Sequence, residues 1–233
     1  MQSPRRDRLA ENLARVRRHM SDAAARSGRS VEDVRLIAVT KYVDAETAAL
    51  LVDLGCRDLG ESRPQQLWDR AQQFAAAPVA WHMIGHLQRN KAKRTVASLD
   101  WLHAGDSLRL LKAVDAAVAA DMRLPVLLEI NISGDAAKHG IAPAEAAEVL
   151  DEAAQLPNIE IRGLMGMASL SGGVDTARKN FSALRELRDR LAANAPDHVQ
   201  LTELSMGMSG DYEAAIEEGA TMVRVGSTLL EGI

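Results

Sequence analysis

Val34-Arg35-Leu36-Ile37-Ala38-Val39-Thr40-Lys41 is an apolar run of strand length that ends on an amine, and a helix-length segment follows it at 44–54. A short continuous apolar run before a helical segment reads as a buried strand opening a βα unit. The unit recurs. Strands are predicted near 34–40, 56–60, 79–84, 99–103, 125–132, 159–165, 200–205 and 221–226, and further helices near 63–75, 89–97, 107–120, 143–155, 174–194 and 211–218. Strict alternation requires right-handed crossovers and a parallel sheet, and eight such units within 233 residues close into a single (β/α)8 barrel of the TIM type. A doubly wound open sheet is the alternative, but no G-x-G-x-x-G turn follows the first strand. Leu9, Leu13, Val16 and Met20 recur at helical spacing up to Gly28, which predicts an extra N-terminal helix. No linker or short repeat divides the chain, so 1–233 is read as one domain.

Nearly half of the residues are apolar (47%) but only 3% are aromatic, so the core must be built from aliphatic side chains and Met. The net charge of -4 offers no general attraction to nucleic acid or acidic membranes, so an anion must be bound by a local site. The lone cysteine, Cys56, cannot form an intrachain disulfide, which fits a reducing cytoplasm. Arg5, Arg6 and Arg8 are followed by no apolar signal segment, and no stretch is long and apolar enough to cross a bilayer; a soluble, unprocessed protein is expected.

Lys41 carries the strongest chemical signal. Desolvation against apolar walls favours the neutral form of an amine, whose lone pair attacks an aldehyde, although a lysine at a strand end can also simply reach solvent. Two small-residue loops shift the balance: Leu204-Ser205-Met206-Gly207-Met208-Ser209-Gly210-Asp211 and Met222-Val223-Arg224-Val225-Gly226-Ser227. A barrel commonly holds phosphate in the loops after strands seven and eight, and closure makes strands one and eight neighbours. Gly207, Gly210 and Gly226 would let amides approach an anion, with hydroxyls from Ser205, Ser209 and Ser227 beside them. Arg224 alternates with Met222 and Gly226, so it faces the barrel interior, where its partner is a structural carboxylate or an aromatic ring nitrogen. An imine-forming lysine, a phosphate cradle and an arginine for a ring nitrogen together describe pyridoxal 5'-phosphate. An aldolase using Lys41 on a sugar phosphate explains the first two features but accounts less well for Arg224.

The stretches Leu36–Lys41, Leu59-Gly60-Glu61-Ser62-Arg63, Trp81-His82-Met83-Ile84-Gly85-His86-Leu87-Gln88-Arg89-Asn90-Lys91, Leu204–Ser209 and Val223–Gly226 resemble the pyridoxal phosphate homeostasis protein family, which shares the barrel of the alanine racemase N-terminal domain. The resemblance covers almost the whole chain. It implies Lys41 as the imine lysine, Arg224 at the pyridine nitrogen, Ser205, Gly226 and Ser227 at the phosphate, and Met206 and Gly207 lining the same pocket. The family often has Gly-Glu-Asn where Gly60-Glu61-Ser62 stands and an aromatic residue in place of Met83, so no cofactor contact is carried over to Ser62 or Met83. The implied function is storage, buffering or delivery of the cofactor, with apo pyridoxal-phosphate enzymes as partners and no nucleic acid or membrane. A monomer is expected, with a dimer left open.

The alternative is a pyridoxal-phosphate-dependent racemase or decarboxylase. Against it, the chain stops at Ile233, so the β domain that racemases place over the mouth is expected to be missing, and with it an opposite-face base. An arginine at the ring nitrogen also keeps the ring a weak electron sink.

Other residues carry less. His82 and His86 have i, i+4 spacing but sit at a strand end with no third ligand apparent, so no metal site is assigned; His82 is read as a hydrogen-bonding residue near the mouth or a satisfied structural one. Arg89, Lys91, Lys93 and Arg94 read as a solvated helix face or a patch for an anionic partner. Asn131, Ser133, Lys138 and His139 are candidate groups on the same rim as Lys41, and Met165 and Met167 pack against cofactor or core.

Overall fold

The structure, a computed structural model, describes residues 4–135, 139–169 and 171–233. Eight parallel strands pair in sequence order and close into a barrel: β1 Arg35–Val39, β2 Asp58–Glu61, β3 Ala80–Met83, β4 Trp101–Gly105, β5 Leu124–Ile130, β6 Ile159–Gly166, β7 Glu203–Met208 and β8 Met222–Val225. Closure is direct, with Ile37 of β1 opposite Arg224 of β8. The helices are α1 Pro4–Arg26, α2 Ala45–Asp53, α3 Pro64–Gln73, α4 Ala92–Val96, α5 Leu108–Asp115, α6 Ala146–Ala153, α7 Gly173–Ala192 and α8 Tyr212–Glu217. The barrel and the extra N-terminal helix expected from the sequence are both present. Among the described residues, no helix is long and apolar enough to cross a membrane.

Helix α1 buries Leu9, Leu13, Val16 and Met20, and such side chains contribute roughly 1.5–3 kcal/mol each when fully buried. It stops at Gly28, whose φ of 70° lets the amides of Gly28 and Arg29 turn back onto the carbonyls of Ala25 (3.1 Å) and Ala24 (2.9 Å). The helix is tied to the far end of the chain. Asn12 donates to the carbonyls of Leu229 (3.1 Å) and Glu231 (2.9 Å), and Arg26 pairs with Glu213 and Glu217 of α8.

Two boundaries differ from the sequence reading in ways that matter for the site. Strand β1 ends at Val39, so Lys41 stands in the turn that follows, where the Val43 amide donates to Thr40 O at 3.2 Å. Strand β7 starts and ends three residues later than expected and runs through Ser205-Met206-Gly207-Met208, with a register shift against β8 between Ser205 and Met208. Small residues that suggest a loop by propensity are held in the sheet because Ser205 pairs with both β6 and β8 and Met208 pairs again with Arg224 of β8.

Candidate cofactor-binding site

A cavity of about 580 Å³ opens at the C-terminal ends of β8, β1 and β2. Lys41, Arg224, Gly226, Ser227, Ser209 and Gly210 line it, with Tyr42, Val43 and Ser62; apolar walls come from Val39, Ile84, Met167, Met208, Leu230 and Ile233. The sequence therefore named its lysine, its arginine and its second glycine loop. Tyr42, Val43, Ile84 and the C-terminal Leu230 and Ile233 carried no signal, because their place depends on which loops meet at the mouth.

Helix α3 holds the lysine turn. Gln66 donates to Lys41 O at 3.0 Å, Arg70 donates to Val43 O, and the Thr40 hydroxyl donates to Glu61 Oε1 at 2.6 Å. Glu61 is fully buried, and burial raises its pKa against the lowering effects of Thr40, Arg70 and Lys41. Two atoms of this clamp, Glu61 Oε2 and Arg70 Nη1, have no partner among the described residues. The Lys41 amine lies 4.9 Å from the centre of the Tyr42 ring, which is 78% exposed and forms the outer lip of the cavity.

The two serines of β7 and its loop have separate tasks. Ser209 Oγ accepts from the amides of Gly226 (3.1 Å) and Thr228 (3.4 Å), which leaves its own hydrogen to donate into the cavity it lines. Ser205 lies fully buried beneath Arg224 rather than on the cavity wall. It accepts from Arg224 Nη1 at 2.5 Å and contacts His103 Nδ1 at 2.8 Å. Met206 is part of the apolar core, and Gly207 serves packing: at φ 89°, a Cβ there would lie 2.5 Å from Ala215 Cβ and 2.9 Å from Tyr212 Cα of α8. Ser205, Met206 and Gly207 are thus placed off the wall that the resemblance implied for them. Strand alternation sends 205 inward, below the mouth, while the bulge brings 208 and 209 up to it.

Arg224 is 4% exposed, and Nη2 donates to Gly166 O at 3.1 Å. Burial pushes its pKa down to about 10, with Glu129 and Asp211 acting in the opposite sense, so it remains a cation at neutral pH. Burial, with Asp106 adding, raises Glu129 to about 7, while Arg224 and His86 oppose the rise. Neither Glu129 nor His103 stood out in the sequence. The usable signal was period two: His103 and Ser205 fall on the same strand face that points Arg224 inward.

His82 lies in the lumen rather than near the mouth, between Asp58 Oδ1 (3.0 Å) and His103 Nε2 (2.9 Å). His86 is at the rim, where it bonds Asp106 Oδ2 at 2.7 Å and stacks on His139 with ring centres 4.5 Å apart and planes at 14°. Ligand atoms of these three residues lie within 4.8 Å of one another. An imidazole binds a metal in its ring plane, and two nearly parallel stacked rings share no such position, so this arrangement is a hydrogen-bonded stack. Lys138 lies outside the described residues. Asn131 is engaged by its own loop, donating to Asp135 O at 2.8 Å and accepting from Ser133 at 3.3 Å. Met167 lines the cavity and Met165 is in the core, as is Met83. The basic run splits: Arg94 covers the Trp68 ring at 4.0 Å, and Arg89 and Lys93 face solvent.

The alanine racemase N-terminal domain family matches residues 5–232. The pyridoxal phosphate homeostasis protein of Mycobacterium leprae (strain TN) is 34% identical over 249 residues, spanning 99% of this chain and 95% of the relative. That of Escherichia coli (strain K12) is 37% identical over 225 residues, spanning 95% of each. PipY of Synechococcus elongatus PCC7942, solved with PLP bound, shares 33% identity and superposes with a TM-score of 0.84 over 95% of this chain and 99% of its own.

Proposed function

The chain belongs to the alanine racemase N-terminal domain family and, within it, to the pyridoxal phosphate homeostasis proteins, and from that premise we propose that the barrel mouth binds pyridoxal 5'-phosphate and that the protein stores, buffers or delivers it. The observation that carries this reading is the convergence of one amine, one buried guanidinium and one hydroxyl-and-amide cluster on a single cavity. The residues fit the group. When bound, the cofactor supplies an aldehyde that an amine can capture covalently.

Lys41 presents that amine from a turn held by Gln66, Arg70 and the Thr40–Glu61 bond, so its backbone position does not depend on the ligand. Arg224, which lines the same cavity, would hold the ring nitrogen. As a cation of pKa about 10 it keeps its protons at neutral pH, and a ring nitrogen that only accepts a hydrogen bond stays a weak electron sink. Ser209, with its oxygen already accepting two amides, donates its hydrogen to the phosphate, and Ser227 and the Gly226 backbone stand beside it. This assigns the phosphate to Ser209 in place of Ser205. Val39, Ile84, Met167 and Met208 form apolar walls that would keep water from a bound ring. Such a site favours retention of the cofactor over proton exchange on a bound amino acid, and apo pyridoxal-phosphate enzymes are the acceptors that delivery would serve.

Borohydride reduction of cofactor-loaded protein followed by peptide mapping tests the site: the adduct is expected on Lys41, and an adduct on Lys91 or Lys138 would overturn the assignment. Deuterium exchange at the α-carbon of a panel of amino acids tests the function. Turnover at roughly 1 per second or faster would place the protein among ordinary enzymes instead.

A further inference from the structure

The lumen below Arg224 is threaded by a column of hydrogen bonds: Arg224 Nη1 to Ser205 Oγ at 2.5 Å, Ser205 Oγ to His103 Nδ1 at 2.8 Å, His103 Nε2 to His82 Nδ1 at 2.9 Å, and His82 Nε2 to Asp58 Oδ1 at 3.0 Å. It starts at the cavity and ends at Asp58, the first residue of β2, on the opposite end of the barrel. Arg35 (3.7 Å from Asp58 Oδ1) and Trp101, stacked on His82 at 6.1 Å, close that end. Ser205, His82 and His103 are fully buried.

Only one assignment of hydrogens satisfies every joint. Burial pushes His103 well below its ordinary pKa, with His82, Arg224 and Arg35 adding to the effect; burial also lowers His82, although Asp58 opposes it. Both rings are therefore neutral at pH 7, each with one N–H. A guanidinium can only donate, so Ser205 accepts from Arg224 and gives its own hydrogen to His103 Nδ1. That puts the His103 proton on Nε2, facing His82 Nδ1, and the His82 proton on Nε2, facing Asp58. A carboxylate can only accept, so Asp58 requires this direction, and it is also the one that uses the Ser205 hydrogen. Barrel interiors are ordinarily filled with branched aliphatic side chains, and a lumen that needed only filling would gain nothing from two buried imidazoles.

We propose that Asp58, His82, His103 and Ser205 are positioning residues for Arg224: the carboxylate at the far end of the lumen fixes the direction of the chain, and the chain aims the guanidinium into the cavity. Without Asp58, His82 is free to carry its proton on Nδ1, which forces His103 to donate to Ser205. Ser205 would then accept from both neighbours, its own buried hydrogen would have no acceptor in the column, and its hold on Arg224 would weaken. The proposal rests on the reading that Arg224 meets bound pyridoxal 5'-phosphate.

A double-mutant cycle tests it, with Asp58→Ala, Asp58→Asn, His103→Leu and His103→Gln each made in the native and the Arg224→Met background. Cofactor titration gives the affinity and the visible band of the bound cofactor gives the electronic state, with thermal unfolding confirming a folded barrel. Asp58→Ala and His103→Leu are expected to weaken binding roughly two- to tenfold and to shift the band in the native background. Asn and Gln, which keep an acceptor or an acceptor–donor pair in place, should restore both readouts. In the Arg224→Met background all four should be silent. Should His103→Leu fail to fold, Asp58, with a side chain 23% exposed, still provides the test. Equal losses in both backgrounds, or no loss and no band shift in either, would overturn the proposal. Arg224→Met binding cofactor as tightly as the native chain would instead overturn the assignment of Arg224, and with it this role for the column.

Discussion

On the outer face of the barrel strands, Leu59, Leu102, Leu164, Leu204 and Val223 pack against helices, whereas the lumen between the same strands holds Asp58, His82, His103, Ser205 and Arg224. Both regions are buried, apart from the half-buried Asp58 at the end of the lumen, and they are held by different physics. The outer layer is stabilised by area removed from water, which is not directional and tolerates exchange of one aliphatic shape for another. The lumen is held by bonds with fixed donors and acceptors, so each member constrains the next. Strand alternation lets one sequence supply both: odd positions of β4 bring Trp101 and His103 inward while Leu102 and Ala104 go out.

The sharpest contrast is expected from Phe181→Ala, which removes the largest fully buried side chain, on α7. It should cost about 3–5 kcal/mol of stability in urea unfolding yet leave cofactor affinity unchanged at temperatures where the variant is folded. An affinity loss of the same size would mean that the two layers are not separable. Arg224→Met should show the reverse pattern. A hydrogen bond from a charged donor is worth about 1.5–3 kcal/mol, so cofactor binding should weaken roughly ten- to hundredfold, and unchanged affinity would remove the arginine from the site.

A smaller effect, visible as a slope, is expected at Glu129. Burial raises it to about 7 from 4.5, so the folded state holds this proton more tightly than the unfolded chain does. The stability it contributes is full below about pH 4.5 and is lost as pH rises through about 7. Glu129→Gln keeps the neutral shape, so the variant should gain on the native chain across that window in urea unfolding. A constant difference would show that Glu129 does not titrate there.

The least effect separates two serines of one cavity. Ser209→Ala should weaken cofactor binding about two- to tenfold, because two amides lose their acceptor and the phosphate loses a donor, while Ser62→Ala should stay within about twofold. Equal losses in a cofactor titration would place the phosphate elsewhere. Between them, Gly226→Val tests the cradle: a Cβ at 226 would stand 3.2 Å from Val39 Cβ on the cavity wall, so the larger side chain must displace one wall or the ligand.

The repeating βα unit was legible in the chain, because the apolar runs and helical periodicities that set it are local. So was the meeting of Lys41, Arg224, Gly226 and Ser227 at one mouth, since strand order and closure follow from the repeat. Depth and partnership depend on how the strands come together. Ser205 and Ser209 look alike in the chain, four residues apart, yet one lies under the arginine and the other on the cavity wall, because a bulge in β7 that arises from pairing with β8 advances the register between them. His82 and His86 stand four residues apart in the chain and belong to different places, one in the lumen and one on the rim. For His103 strand alternation offered only an inward direction, since its partners Ser205 and His82 come from other strands, and a hydrogen bond across a barrel is set by which side chains the closed sheet brings face to face.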